Sequence, residues 1–211
     1  MNSLSLDKLF LRMAGITLVV LYSVIFAGSI VRATGSGMGC PDWPKCFGLY
    51  IPPTDSSQVI FQPNEEYKQG RLIIVDTTLW RAKEDFTSKI VFDTLNWEKY
   101  PKHNYAQFTP RQTWTEFINR LVGALSSLCM TLLLIVAVLR VKRDWPTLAI
   151  LMAGMCVLAF VIWLGAEVVN SNLAAQKITF HMMSSIVLLG VVIHTSARVR
   201  VLSGQLQKHI V

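Results

Sequence analysis

The stretch Glu116-Phe117-Ile118-Asn119-Arg120 runs directly into LVGALSSLCMTLLLIVAVL (121–139), which holds no charged residue. That junction decides the fold class. A run of about 20 apolar residues is the length that crosses a ~30 Å hydrocarbon layer as a helix. An ionised side chain costs about 2.5 to 3.5 kcal/mol at the centre of such a helix, so charge at its entry calls for a reason. Glu116, Asn119 and Arg120 stand at i, i+3 and i+4 and share one helix face. Two readings are open. The carboxylate and guanidinium pair in the headgroup region and anchor the helix end, or they turn into a bundle and bind something.

Three further uncharged runs, 13–31, 145–166 and 178–197, have similar length. With 52% hydrophobic and 16% charged residues over 211, the chain is too apolar for a soluble domain of its size. The first run lacks a small-residue cleavage site and is followed by three more, so it reads as a retained helix rather than a signal peptide.

The net charge of +7 has a topological distribution. Lys8, Arg12, Arg140, Lys142, Arg143, Arg198, Arg200 and Lys208 flank the runs on one side against Asp7 and Asp144, whereas in 33–112 basic and acidic residues balance. By the positive-inside rule both termini are cytoplasmic and 33–112 lies outside, as in a multi-pass protein of a bacterial-type inner membrane. The basic tail is then a topology signal, and no nucleic-acid partner is expected.

The expected architecture is an all-α integral membrane protein, one antiparallel four-helix transmembrane bundle over 1–211, with 33–112 as an outer loop or cap. Short links between the second, third and fourth runs force antiparallel neighbours. The glycines and prolines after Arg32 end the first helix in a shaped loop. Within the long loop, 71–80 and 89–97 have short β-branched cores that could pair as strands, and a loop of this length either folds or is partly disordered.

Of the 4 histidines, only His181 and His194 lie in an apolar run. His181 sits about one turn in from Lys177 near the outer end of its helix, at a depth similar to Asn119, so the two can face each other. Imidazole is the usual protein ligand of haem iron, and His181 is a candidate ligand or proton-transfer group; the alternative is a histidine bonded to a neighbouring helix as packing glue. His194 lies about 20 Å further along at 1.5 Å per residue, and reads as interfacial. With His103 in the loop and His209 in the tail, a bis-histidine haem within the membrane core of one chain is not available. A single-histidine site remains, its sixth position open, filled through Asn119 and water, or supplied by another subunit. Cys40 and Cys46 share a loop placed outside, where disulfides persist, and are expected to be bridged; too few further ligands lie near them for zinc. Cys129 and Cys156 read as small apolar core residues. Glu167 is either a second site carboxylate or an exposed helix end.

Three motifs resemble the haem A synthase family, membrane enzymes that oxidise a methyl group of haem O to the formyl group of haem A. Gly28-Ser29-Ile30-Val31-Arg32-Ala33-Thr34-Gly35-Ser36-Gly37 with Cys40-Pro41-Asp42-Trp43-Pro44-Lys45-Cys46 is similar to that family's first outer loop and its cysteine pair. Glu116 to Arg120 with Leu121-Val122-Gly123 is similar to its Glu-x-x-His-Arg helix. Leu164-Gly165-Ala166, Val168 to Leu173 and Thr179-Phe180-His181 resemble its third and fourth helices. Family members usually carry eight spans as two four-helix halves, and this chain resembles the first half, with Asn119 where the motif has a haem-ligating histidine.

The resemblance implies a haem b cofactor with His181 as axial iron ligand, Glu116 as the catalytic carboxylate, Arg120 beside the propionates or substrate, and Asn119 at the cofactor. It places the haem pocket in the outer leaflet between the second and fourth helices. Haem O is then the substrate and the electron donor comes from outside the chain. A homodimer or a second four-span subunit is expected, with haem O synthase as a further partner. A non-catalytic haem-binding or oxidase-assembly protein is the alternative, motivated by Asn119; a purely structural four-span protein would have no need of Glu116, Arg120 and His181 at membrane depth.

Overall fold

A computed structural model describes the backbone of residues 3–210 and the side chains of residues 4–204, so the side chains of Lys208 and His209 lie outside the described residues. Four long helices account for the apolar runs: α1 Ser3–Ala33, α2 Pro110–Leu139, α3 Trp145–Asn170 and α4 Ala175–Ile210. Each is long and apolar enough to cross a membrane. All four exceed their uncharged runs, because a helix continues through polar turns once it has left the hydrocarbon.

Local chemistry sets their ends. Pro110 opens α2 at the first helical position, where its missing N–H costs nothing. Asp144 caps α3, accepting from the Thr147 N–H at 3.4 Å and from its hydroxyl. At the other end Leu173 N donates to Val168 O at 2.9 Å and Asn172 N to Val169 O at 3.1 Å, a Schellman closure with Asn172 at φ 52°. That turn sends α4 back antiparallel to α3.

The described chain divides into two compact units. One takes the residues up to Gly28, Arg120–Leu164 and the chain from Thr179 onward. Its core draws on all four helices, with Phe10, Met130, Leu133, Leu151 and Val192 fully buried. Thr17 Oγ1 reaches Cys129 O at 3.5 Å between α1 and α2. Asp7 of α1 takes Arg140 at 2.7 Å and Arg143 at 2.7 Å, and Asp144 takes Arg198 of α4 at 3.0 Å. These contacts pair the start of α1 with the end of α2, and the start of α3 with the end of α4, an antiparallel bundle. Burial by itself raises the Asp144 carboxyl, but hydrogen bonds from Thr147 and Arg198 and the Arg198 charge outweigh it and hold it below the usual carboxylate value. Val19, Phe26, Leu128, Ile135, Trp163 and Ile186 stay exposed on the outside of this unit, an apolar surface suited to lipid and not to water. The protein is a multi-pass membrane protein.

The other unit takes Ser29–Asn119 and Gly165–Ile178. The long loop in it folds. β2 Leu72–Val75, β3 Thr78–Ala82 and β5 Trp97–Lys99 form an antiparallel sheet in the order β2-β3-β5, and β1 Glu66–Tyr67 pairs with β4 Phe86–Thr87. Phe61, Tyr67, Trp80, Phe86, Phe92 and Trp97 interlock with ring centroids 4.9 to 6.5 Å apart. The expected pairing of 71–80 with 89–97 is corrected here. Asp76 and Thr77 adopt φ 47° and 60°, a two-residue turn that folds 71–80 back on itself as the β2–β3 hairpin. Of 89–97 only Trp97 pairs, while Ile90, Val91 and Leu95 remain exposed.

Candidate functional site

The loop after α1 is pressed against the start of α2. A Cβ on Gly39 would come within 2.5 Å of the Gln112 backbone, so only glycine permits the approach. Thr113 Oγ1 donates to Gly39 O at 2.7 Å. One turn further on, Glu116 Oε2 accepts from the Cys40 N–H at 2.9 Å, and Glu116 is 4% exposed. Cys40 and Cys46 form the expected disulfide. His103 Nε2 lies 2.8 Å from Pro41 O and so carries the proton there, since a carbonyl only accepts; Asp42 Oδ2 accepts from Gly48 N at 2.9 Å. The buried carboxylate is thus held by the backbone of a cross-linked, hydrogen-bonded loop.

Asn119 lies one turn beyond Glu116. Its Oδ1 is buried and has no hydrogen-bond partner among the described residues. An unpaired buried carbonyl of this kind costs about 1 to 3 kcal/mol, and such an atom is a natural acceptor for a bound molecule. Arg120 is half-buried on the next position of α2.

His181 of α4 belongs to the other unit. Its Nδ1 is 3.0 Å from Val161 O of α3. Because the carbonyl can only accept, Nδ1 carries the proton in the neutral ring, and Nε2 is left with the lone pair. Metal-binding histidines are oriented this way, with the far ring N–H given to a carbonyl or carboxylate. The packing-glue reading of His181 accounts for Nδ1 and leaves Nε2 unused. Among the described residues no group of three or more His, Cys, Asp or Glu stands ready to hold a bare metal ion. Iron already seated in a porphyrin asks only for axial ligands, and His181 Nε2 fits that need.

Glu167 takes the helix-end role. Its carboxylate pairs with Lys177 at 2.6 Å and accepts from Asn170 Nδ2 at 3.4 Å, while Lys102 Nζ donates to Asn170 Oδ1 at 2.7 Å. It staples the α3–α4 turn. His194 is exposed in the second half of α4, sixteen residues before the helix ends at Ile210. Cys129 is buried as expected, but Cys156 is exposed, because it falls on the outer face of α3. Two residues of the loop anchor escaped the reading of the sequence. Thr113, three residues before Glu116 and on its face, could have been found from helical spacing; His103 sits in irregular chain and leaves no periodic signal.

The family model described as "Cytochrome oxidase assembly protein" (COX15-CtaA) matches residues 12–89 and 92–209. A haem A synthase of Shewanella oneidensis is 43% identical over 44 residues, 21% of this chain and 13% of that protein. A haem A synthase of Geobacillus kaustophilus is 31% identical over 74 residues, 33% of this chain and 23% of that protein. The matched stretches thus span less than a quarter of either relative. No solved structure matches the chain. Four membrane-length helices, a disulfide loop on a buried glutamate and a family match along nearly the whole chain converge: this protein belongs to the COX15-CtaA cytochrome oxidase assembly family, the haem A synthase family.

Proposed function

We propose that the chain acts in haem A biosynthesis for terminal oxidases, as the haem A synthase that oxidises the methyl group of haem O to a formyl group. The observation that carries this is the His181 ring, whose Nδ1–H is committed to Val161 O and whose Nε2 is therefore the lone-pair nitrogen. A haem b bound through that nitrogen would supply the one-electron and oxygen chemistry that side chains lack. His181 holds and orients. Glu116, fixed through Oε2 by the Cys40 N–H, holds or releases a proton beside the substrate. Arg120 offers a planar donor set to a propionate carboxylate, and Asn119 Oδ1 accepts from substrate or water. Oxygen and the electrons that reduce it come from outside the chain, the latter from a separate donor.

The chain is inserted in a bacterial-type inner membrane with both termini cytoplasmic and 33–112 outside, in line with the flanking Lys and Arg. It works as a homodimer or beside a second four-span subunit, and receives haem O from a haem O synthase. An active monodisperse monomer in detergent would sink the oligomer.

A second reading rests on Asn119. Where the family motif has histidine this chain has an amide, a poor iron ligand, and a protein that holds haem without converting it would show the same His181 geometry.

Haem extraction and chromatography decide between the two. The protein is made together with a haem O synthase in a host that makes no haem A, with His181→Ala and Glu116→Ala alongside. Haem A or its hydroxylated precursor, formed only by the intact protein, establishes the synthase. Haem B or O co-purifying unconverted, and lost in His181→Ala, supports the holding role; no haem in any sample overturns both.

A further inference from the structure

We propose that the hairpin 43–51 is a membrane-interface anchor, seating Trp43, Tyr50 and Ile51 in the phospholipid headgroup layer with Lys45 directed to lipid phosphate. The hairpin is tight. Cys46 and Leu49 exchange both backbone hydrogen bonds, at 2.8 and 3.0 Å, around Phe47 and Gly48 at φ 54° and 75°. Lys45 therefore stands opposite Tyr50, and its ammonium lies 4.9 Å from the Tyr50 ring centroid. Phe47, 1% exposed, turns into the core against Phe108 at 5.6 Å, so the turn itself is buried. The open arms are not. Trp43 is 40%, Tyr50 78% and Ile51 71% exposed.

Two short tethers tie this platform to α2. Cys46 is 4.7 Å from Cys40 between Cα atoms, and the Cys40 N–H is 2.9 Å from Glu116 Oε2. Glu116 precedes the uncharged run of α2 by five residues, about 7.5 Å along the axis at 1.5 Å per residue. The headgroup layer adds about 5 to 8 Å on each side of the hydrocarbon, so Glu116, to which the loop is tied, stands at that depth on α2. Tryptophan and tyrosine concentrate at that depth because their rings are apolar and their edges are wet, and a lysine there meets phosphate. Ile90, Val91 and Leu95 are as exposed, but among the described residues no disulfide joins their segment to the loop on Glu116.

This inference does not depend on haem. The whole protein is reconstituted into phosphatidylcholine vesicles as wild type, Trp43→Phe, and Trp43→Phe with Ile51→Trp. Tryptophan emission is quenched with a headgroup spin-labelled phosphatidylcholine or with aqueous acrylamide. The emission lost in Trp43→Phe should be the fraction that the lipid label quenches and acrylamide reaches poorly, and Ile51→Trp should restore it. Should Trp43→Phe fail to fold, Ile51→Trp in the wild-type background adds lipid-quenched emission by itself. Quenching by acrylamide alone places the arms in open water, and protection from both quenchers places them under a second copy or a partner protein; either result overturns the anchor.

Discussion

The charged cluster of Asp7, Arg140, Arg143, Asp144 and Arg198 and the face of α2 that carries Glu116 and Asn119 both bury ionic or polar groups, and both leave some of those atoms without a hydrogen bond, Arg140 Nη1 in the first and Asn119 Oδ1 in the second, but only the first neutralises its charges with counter-charges. In the first, charge meets charge. Asp7 and Arg140 have side chains 1% exposed and face each other at 2.7 Å, with the Phe10 ring 4.9 Å from the guanidinium carbon. In the second, a carboxylate is gripped by a backbone N–H, and the neighbouring amide oxygen has no hydrogen-bond partner among the described residues. A closed ion pair fastens helix ends.

The largest effect expected of this contrast comes from breaking the closed side. Asp7→Asn leaves Arg140 buried without its counter-charge and should cost about 3 to 5 kcal/mol, read as a lower midpoint of thermal unfolding in detergent. Asp7→Leu combined with Arg140→Met should recover most of it. If Asp7→Asn unfolds as wild type does, the cluster is no clasp.

Glu116 sharpens the other side. Glu116→Ala removes the acceptor of the Cys40 N–H and should destabilise by about 1 to 3 kcal/mol, whereas Glu116→Gln keeps an oxygen in place and should unfold near wild type. Both should stop haem A formation. A Glu116→Gln protein that still makes haem A at the wild-type rate would remove the proton role and leave only the anchoring one.

Smaller still is Asn119→Leu. Deleting an unpartnered carbonyl should leave stability unchanged or raise it by up to about 1 kcal/mol, while haem retention or conversion falls. Stability and haem handling dropping together would mean that Asn119 is packed for structure.

Asp144 gives the least effect, and it depends on pH. Its folded carboxyl lies below the ordinary value of 3.8, so its contribution is complete above that value and is lost as the pH falls through the folded one. Between neutral and strongly acid pH the unfolding midpoint should therefore fall further in wild type than in Asp144→Asn. Equal slopes would show that the carboxyl is not held down by Thr147 and Arg198.

Much of this was legible in the residues. Hydrocarbon thickness makes an uncharged run of a given length a span whatever its neighbours do, so all four helices follow from composition and run length. Short links impose antiparallel order, and cysteines in an outer loop point to a bridge. Glu116 and Asn119 stood out because charge and amide are rare at the edge of an apolar run. The long loop resisted, since the two-residue turn at Asp76-Thr77 uses left-handed backbone that non-glycine residues rarely announce.

What the sequence determined by itself is therefore local or one-dimensional: the spans, their order, the flanking charge and the unusual residues within them. Tertiary structure alone decided which atoms those residues spend and which they keep. His181 gives Nδ1 to a carbonyl of α3, Glu167 is consumed by Lys177, and Glu116 is held by Cys40, seventy-six residues away in the chain. Hydrogen bonds are short and directional, and the approach that makes them is fixed only when distant backbone is brought within 3 Å. No spacing along a single chain encodes that distance.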